Sequence, residues 1–128
     1  MKNRTIVILS IIICLFVSCQ NKSDNCVGNY KNDKFILRDT SDTLYDYETE
    51  MLTLKADNAF TLKRYNGQLL VEGSWKIVKT HKNNYTICFE YSDKKILGTL
   101  KGTIITFRYP NEFHNGKYEQ ILYVKQIR

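Results

Sequence analysis

The sequence predicts an all-β domain, an antiparallel meander of about eight strands that closes into a small up-and-down barrel. Apolar and polar residues alternate with a period of two in one segment after another, and no stretch shows a long 3.6-residue apolar period. Turn-forming residues separate these segments at short intervals. A long meander protects its edge strands by closing on itself, so a barrel is the first expectation and a two-sheet sandwich is the alternative.

The first part of the domain is the least regular. VGNYKND and KFILRD are interpreted as one bent strand or as two strands. The next segment, TSDTLYDYETE, is acidic and is expected to be a loop or a frayed strand end. It contains Asp42, Asp46, Glu48 and Glu50.

Two strong turn signals define the central strands. EMLTLKA and AFTLKRY meet at the DN pair 57–58, which predicts a hairpin. The NG pair 66–67 is a stronger hairpin signal, and it joins AFTLKRY to LLVEGSWKIVK. Gly73 and Gly98, inside predicted strands, suit the sharp bends of a small barrel.

Four further strands complete the meander. They are YTICFEY, ILGTLK, TIITFRY and YEQILYVKQI, and they are separated by HKNN, SDKK, Gly102 and the loop PNEFHNGK. In YTICFEY, the alternation places Ile87 and Phe89 on the apolar face and Cys88 on the polar face.

The N-terminus has the features of an export signal. Lys2 and Arg4 precede an apolar run from Ile6 to Val17. A helix of this length spans about 18 Å, whereas bilayer hydrocarbon is roughly 30 Å thick, so the run is too short for a transmembrane helix. The order of charge, apolar block and small residue is that of a secretory signal peptide.

Val17-Ser18-Cys19 resembles the lipobox of bacterial lipoproteins. The resemblance implies that residues 1–18 are removed and that Cys19 receives a diacylglyceryl group. It also implies that two or more acyl chains anchor the domain outside the cytoplasm, with the outer membrane expected and the leaflet left open. An uncleaved anchor, or a plain signal with an incidental cysteine, is the alternative.

After removal of the signal, residues 19–25 are expected to form a lipidated N-terminus and flexible tether, and residues 26–128 a single domain. The net charge falls from +6 to +4 because Lys2 and Arg4 leave with the signal. Export and the lack of a basic-aromatic motif argue against a nucleic-acid partner. The remaining positive charge is expected on a solvated surface, where it is favourable beside anionic lipid headgroups.

Two cysteines remain besides the lipidated one. Cys26 and Cys88 can form a disulfide in an oxidising compartment, which would close a loop of about sixty residues. Two unpaired thiols are the alternative. The spacing C-x-x-C does not occur, so neither a redox motif nor a zinc site is indicated.

No cofactor, metal ion or catalytic residue is predicted, and an envelope hydrolase remains only as an alternative. His81 and His114 belong to loops at opposite ends of the meander, so a shared metal site is not expected. Glu112 and His114 are interpreted as solvated loop residues. The acidic residues around Asp42 lack the spacing of a calcium loop and are interpreted as a solvated face.

Roughly residues 26–128 are similar to the small lipocalin-like β-barrels of bacterial lipoproteins. The likeness rests on Gly28-x-Tyr30, on the hairpin LKADNAFTL and on Trp75 in GSW. It implies a closed barrel that binds something apolar or serves as a compact interaction module. Six aromatic residues are expected inside the barrel or at its rim, either as packing or as ligand contacts: Phe60, Trp75, Phe89, Tyr91, Phe107 and Tyr123.

Two functions follow as predictions. The first is a non-enzymatic, membrane-anchored lipoprotein that binds a small apolar ligand or acts in envelope maintenance. The alternative is a protein-binding immunity or inhibitor lipoprotein that neutralises a secreted toxin. Small size, export and a mixed-charge surface motivate the alternative.

Overall fold

A computed structural model describes residues 23–44 and 49–127. The predicted signal peptide, Cys19 and the tether up to residue 22 lie outside the described residues, as do Asp46 and Glu48. Within the described residues, no helix has both the length and the apolar character needed to cross a membrane.

Nine strands of the described chain form one antiparallel sheet, and all except β2 build a closed barrel. They are β1 Gly28–Leu37, β2 Thr43–Leu44, β3 Glu50–Leu54, β4 Ala59–Arg64, β5 Leu69–His81, β6 Asn84–Tyr91, β7 Lys94–Lys101, β8 Ile104–Arg108 and β9 Tyr118–Lys125. Strands β3 to β9 pair in chain order, and the pairing of β1 with β9 closes the ring. The predicted antiparallel barrel is confirmed, and the two-sheet sandwich is not formed.

The predicted hairpin turns lie where the sequence places them. At 57–58, the Asp57 carboxylate accepts a hydrogen bond from the Ala59 N–H at 3.0 Å, and Asn58 has a φ of 67°. Gly67, in the NG turn, has a φ of 86°. Asn and Gly tolerate these left-handed conformations, which explains why both dipeptides predict their turns correctly.

The ambiguous first segment is one long, bent strand. On one edge of β1, Gly28 to Lys31 pair with β3, whereas Phe35 and Ile36 pair with the short β2. The other edge pairs with β9 and has a bulge between Asn32 and Lys34. A bulge bends a strand, so β1 can serve two neighbours along one edge.

Aromatic side chains fill the barrel. Phe60 and Phe89 have ring centroids 5.1 Å apart, and Phe89 and Phe107 have centroids 5.3 Å apart. A Cβ added at Gly98 would come within 2.7 Å of the Phe107 ring, and one at Gly73 would collide with the backbone carbonyl of Glu90. The two glycines therefore allow close approaches in the barrel wall that a larger residue would prevent.

The two described cysteines lie on different sides of the barrel wall. Cys26 belongs to the core, where burial raises the pKa of its thiol to about 11 against the opposing charge of Lys125. Cys88 lies between Ile87 and Phe89, which point inward, so its side chain is on the outer face of β6. No disulfide joins Cys26 to Cys88. The wall separates the two side chains, and this geometry disfavours a bridge between them.

The turns of the meander form two ends of the barrel. We call one the tether end, which comprises residues 23–27, 55–58, 82–83, 102–103 and 126–127. We call the other the loop end, which comprises residues 38–44, 65–68, 92–93 and 109–117. His81 adjoins the tether end and His114 belongs to the loop end, so the prediction that they lie at opposite ends is confirmed.

Candidate binding site at the loop end

The segment 109–117, between β8 and β9, folds over the loop end and closes it. Phe113 inserts from this segment into the barrel mouth and is 6% exposed. Its ring centroid lies 4.9 Å from that of Phe107 and 5.5 Å from that of Tyr91. It also contacts Phe60 and Phe89. Phe113 therefore acts as a plug that continues the aromatic core outward.

Glu112 gives this segment its shape. Its carboxylate is 2% exposed and accepts hydrogen bonds from the backbone N–H groups of His114, at 2.6 Å, and Gly116. These backbone donors would otherwise lack a partner within the turn, and a carboxylate is a strong acceptor for them. The prediction that Glu112 and His114 are solvated is therefore wrong, because the segment folds back onto the barrel instead of extending into solvent.

A buried polar cluster lies beneath the plug. The Glu50 side chain is 1% exposed, and the Tyr123 hydroxyl donates a hydrogen bond to its carboxylate at 2.9 Å. The Nε2 of His114 lies 3.2 Å from each of the two Glu50 carboxylate oxygens. Burial, and next the neighbouring Glu50 charge, raise the pKa of Tyr123 well above its usual value. This cluster joins β3, β9 and the closing segment.

Asn32 extends the cluster to β1. Its side-chain oxygen accepts a hydrogen bond from the Glu50 backbone N–H at 2.5 Å, at the point where β1 changes partner from β3 to β2. Asn32 is 1% exposed, and its Nδ2 has no hydrogen-bond partner within the described residues. The Asn32 side-chain oxygen thus takes the place of a backbone acceptor for the Glu50 N–H, just beyond the last paired residues of β1 and β3.

The alternation of inward and outward residues along the strands predicts that two residues of this cluster face the barrel interior. Glu50 has the same parity as Leu52 and Leu54 on β3, so it faces inward with them. Asn32 likewise has the parity of Tyr30 on β1. The acidic residues that precede Glu50 in the sequence conceal this. No local pattern identifies His114, which lies in an irregular segment.

A shallow groove of about 270 Å³ opens beside the plug. The Arg38 guanidinium stacks over the Tyr109 ring, 4.4 Å from its centroid. Lys94 donates a hydrogen bond to Asn115 at 2.9 Å. The hydroxyl of Tyr91, whose pKa is raised by burial and then by the nearby Glu112, completes a rim of two cations and two phenols. Such a rim suits an acidic or aromatic side chain of a binding partner.

The six aromatic residues predicted at the interior or rim lie on the inner face of the barrel. Five of them are 2% exposed or less: Phe60, Trp75, Phe89, Phe107 and Tyr123. Tyr91 is partly exposed and lines the groove. All six belong to the core cluster or pack against it.

The described residues do not form a metal-binding group. Within 23–44 and 49–127, no three or more His, Cys, Asp or Glu residues are arranged to hold a metal ion. Comparison with protein-family models, curated proteins and solved structures finds no match.

Proposed function

We propose that this chain is a non-enzymatic binding protein, anchored at the outer membrane through lipid on Cys19, which recognises a protein partner through its loop end. The observation that carries the proposal is the filled barrel. Because the protein's own side chains fill the interior, a partner would have to bind at the outer surface.

The interior offers little space for a ligand. Trp75, Phe60 and Phe107 are each 2% exposed or less, and Phe113 covers Phe60 and Phe107 at the loop end. An eight-stranded barrel is only just wide enough to be filled by side chains, whereas ligand pockets usually measure about 300–1,000 Å³. The aromatic residues therefore support packing over ligand binding.

The loop end has the composition of a recognition surface. Tyr109 is 46% exposed and Tyr65 is 88% exposed, and Arg38 stacks against the first of them. Tyrosine and arginine are the residues that most often dominate binding energy at protein interfaces. With Lys94 beside them, these groups favour a partner that presents carboxylates. An immunity or inhibitor lipoprotein that neutralises a secreted toxin fits this description.

The polar cluster supports a role without catalysis. His114 and Tyr123 are each hydrogen-bonded to Glu50, and the Glu50 carboxylate is buried. A general acid or base must reach the proton that it transfers. Here the groups are directed at each other and hold the closing segment in place.

A small apolar ligand is the second candidate, and the position of Phe113 favours it. One side chain, carried on a loop, occupies the barrel mouth against Phe60, Phe89 and Phe107. A ligand of similar shape could bind those rings if the segment opened. In that case, the protein would carry lipids or other apolar molecules in envelope maintenance.

Photo-crosslinking in membranes of the native host tests the proposal. A photoreactive residue at Tyr109 of the loop end should give a discrete protein adduct, whereas the same residue at Ile127 of the tether end should not. Arg38→Glu with Lys94→Glu should abolish the adduct, because it reverses the charge of the groove. Equal labelling from both ends, or an adduct that survives the charge reversal, would overturn the proposal.

Native mass spectrometry of the extracted protein tests the second candidate. A bound small molecule that disappears when Phe113 is replaced by Trp would support it. Repeated absence of bound molecules would contradict it.

A further inference from the structure

We propose that the tether end is a second interaction surface, which lies against an anionic lipid bilayer. The inference rests on the proposed membrane anchoring and adds the direction in which the barrel faces. Its basis is the point where the tether meets the barrel, together with the charge and the exposed apolar side chains of that end.

The tether meets the barrel at the tether end. Ser23, the first described residue, lies beside Asn58 and Thr80 in a groove of about 400 Å³. The chain then turns, with the Cys26 N–H donating to the Ser23 carbonyl at 3.0 Å. Asn25 also donates a hydrogen bond to the Tyr85 hydroxyl at 3.1 Å. The anchored segment therefore approaches the barrel from this end.

The length of the tether keeps this end near the bilayer. Ser23 follows Cys19 by four positions. A fully extended chain of that length reaches at most about 14 Å. A lipid on Cys19, which lies at the membrane surface, thus holds the tether end within a short distance of the headgroups. The loop end lies at the opposite side of the barrel.

Charge at the tether end complements anionic lipid. The lysines within three residues of its turns are Lys55, Lys79, Lys82, Lys101 and Lys125. The first four are exposed and the last is partly exposed. Asp24 and Asp57 are the acidic residues within the ranges that define this end, and the Asp57 carboxylate accepts a backbone hydrogen bond within its own turn. Clustered lysines near a membrane are attracted by the negative surface potential of anionic lipids.

Two exposed apolar side chains accompany the lysines. Val78 is 50% exposed, and it lies at the irregularity of β5 where the register with β6 shifts between Ile77 and Lys79. Ile127 follows β9 and is 88% exposed. Apolar side chains flanked by lysines suit the interfacial region, where the apolar groups enter the headgroup boundary and the ammonium groups stay near phosphates.

Such docking would orient the barrel. Acyl chains on Cys19 would hold the chain at the membrane without fixing how the barrel is turned, whereas a basic patch at the same end would also fix its orientation. With both signals at one end, the barrel would stand with its loop end turned away from the bilayer. The groove beside Phe113 would then face a partner that approaches from the aqueous compartment.

Lysine acetylation of the full chain on vesicles tests the docking. The protein is extracted from its own membrane and reconstituted into phosphatidylcholine vesicles, with or without phosphatidylglycerol at about 30%. Acetylation of the tether-end lysines, read by mass spectrometry, should slow by about threefold or more on the anionic vesicles. Lys95 and Lys117, away from the tether end, should react at the same rate on both. Equal rates for both groups of lysines would overturn the proposal.

A charge-matched pair of variants sharpens the test. Lys55→Glu, Lys79→Glu and Lys82→Glu together should abolish the protection of Lys101 and Lys125. The control, Lys63→Glu, Lys95→Glu and Lys117→Glu, has the same net charge and should retain it. If both triple variants lose protection equally, net charge and not a docking face explains the effect, and the proposal fails. Near-UV circular dichroism checks that both triple variants are folded. If either has lost the native spectrum, the acetylation rates of the wild type on the two vesicle types decide whether the tether end docks.

Incorporation of labelled palmitate distinguishes a failure of the docking proposal from a failure of the lipid anchor on which it rests. A chain that lacks palmitate but still protects its tether-end lysines supports the docking and overturns the lipid anchor. A palmitoylated chain whose tether-end lysines stay reactive on anionic vesicles overturns the docking and keeps the anchor.

Discussion

The two ends of the barrel are closed in different ways. At the tether end, short turns join the strands, and the Trp75 indole N–H donates to the Lys55 carbonyl at 3.0 Å beside exposed lysines. At the loop end, a longer segment inserts Phe113 into the mouth and covers the carboxylates of Glu50 and Glu112. The same sheet thus ends in a simple basic surface on one side and in a buried polar network on the other.

This difference indicates that the loop end has a role beyond closing the barrel. Burying a carboxylate is costly unless it is hydrogen-bonded, and turns at the tether end close the barrel without that cost. Satisfied polar networks hold a loop in one conformation. We therefore expect the loop end to depend on a few specific side chains, whereas the tether end should tolerate substitution.

The largest effect is expected for Phe113→Ala. Removal of the plug leaves a cavity against Phe107 and Tyr91, and we expect the free energy of unfolding to fall by about 3 kcal/mol. Ile127→Ala at the tether end is the control and should change it by less than about 0.5 kcal/mol. Urea denaturation measures both. A loss below about 1 kcal/mol for Phe113→Ala would show that the segment closes the mouth without Phe113.

Glu50→Gln should have the next largest effect, about 2 kcal/mol. The amide keeps the shape of the side chain but removes the charged acceptor that faces His114 and Tyr123. Hydrogen exchange of the amides at 112–116 should become faster, because their segment loses this attachment. Glu72→Gln, at an exposed position, should alter neither quantity. Unchanged exchange at 112–116 would contradict a role for Glu50 in holding the segment.

Tyr123→Phe should cost about 1.5 kcal/mol at neutral pH, the lower end of the range for a hydrogen bond to a charged group, because His114 still contacts the carboxylate. Its pH dependence is more specific. The pKa of Tyr123 is raised in the folded state, so its contribution is fully present below about pH 10, the ordinary pKa of tyrosine, and is lost as the pH rises further. Chemical denaturation across this range should show a shallower alkaline loss for Tyr123→Phe than for the wild type. Tyr65→Phe, at an 88% exposed position, should behave as the wild type does.

The smallest effect is expected at the tether end. Lys82→Glu should change the free energy of unfolding by less than about 0.5 kcal/mol, because the side chain is exposed. Thermal or urea denaturation measures it. A loss comparable to that of Glu50→Gln would remove the contrast between the two ends.

Local sequence patterns determined the barrel itself. The period-two alternation, the DN and NG turns and the outward position of Cys88 depend on neighbours along the chain, so they can be interpreted without knowing the fold. The same alternation also indicates that Glu50 faces inward with Leu52, although the acidic residues around it conceal that indication.

Only the tertiary structure decided which inward side chains meet. Glu50 and His114 are 64 positions apart, and Glu50 and Tyr123 are 73 apart. They come together because β1 pairs with β9 and closes the ring, and because an aperiodic segment folds back over the mouth. The separation of Cys26 from Cys88 by the wall has the same origin. Alternation determines the face on which a residue lies, but closure of the sheet and the path of an irregular loop determine its neighbours.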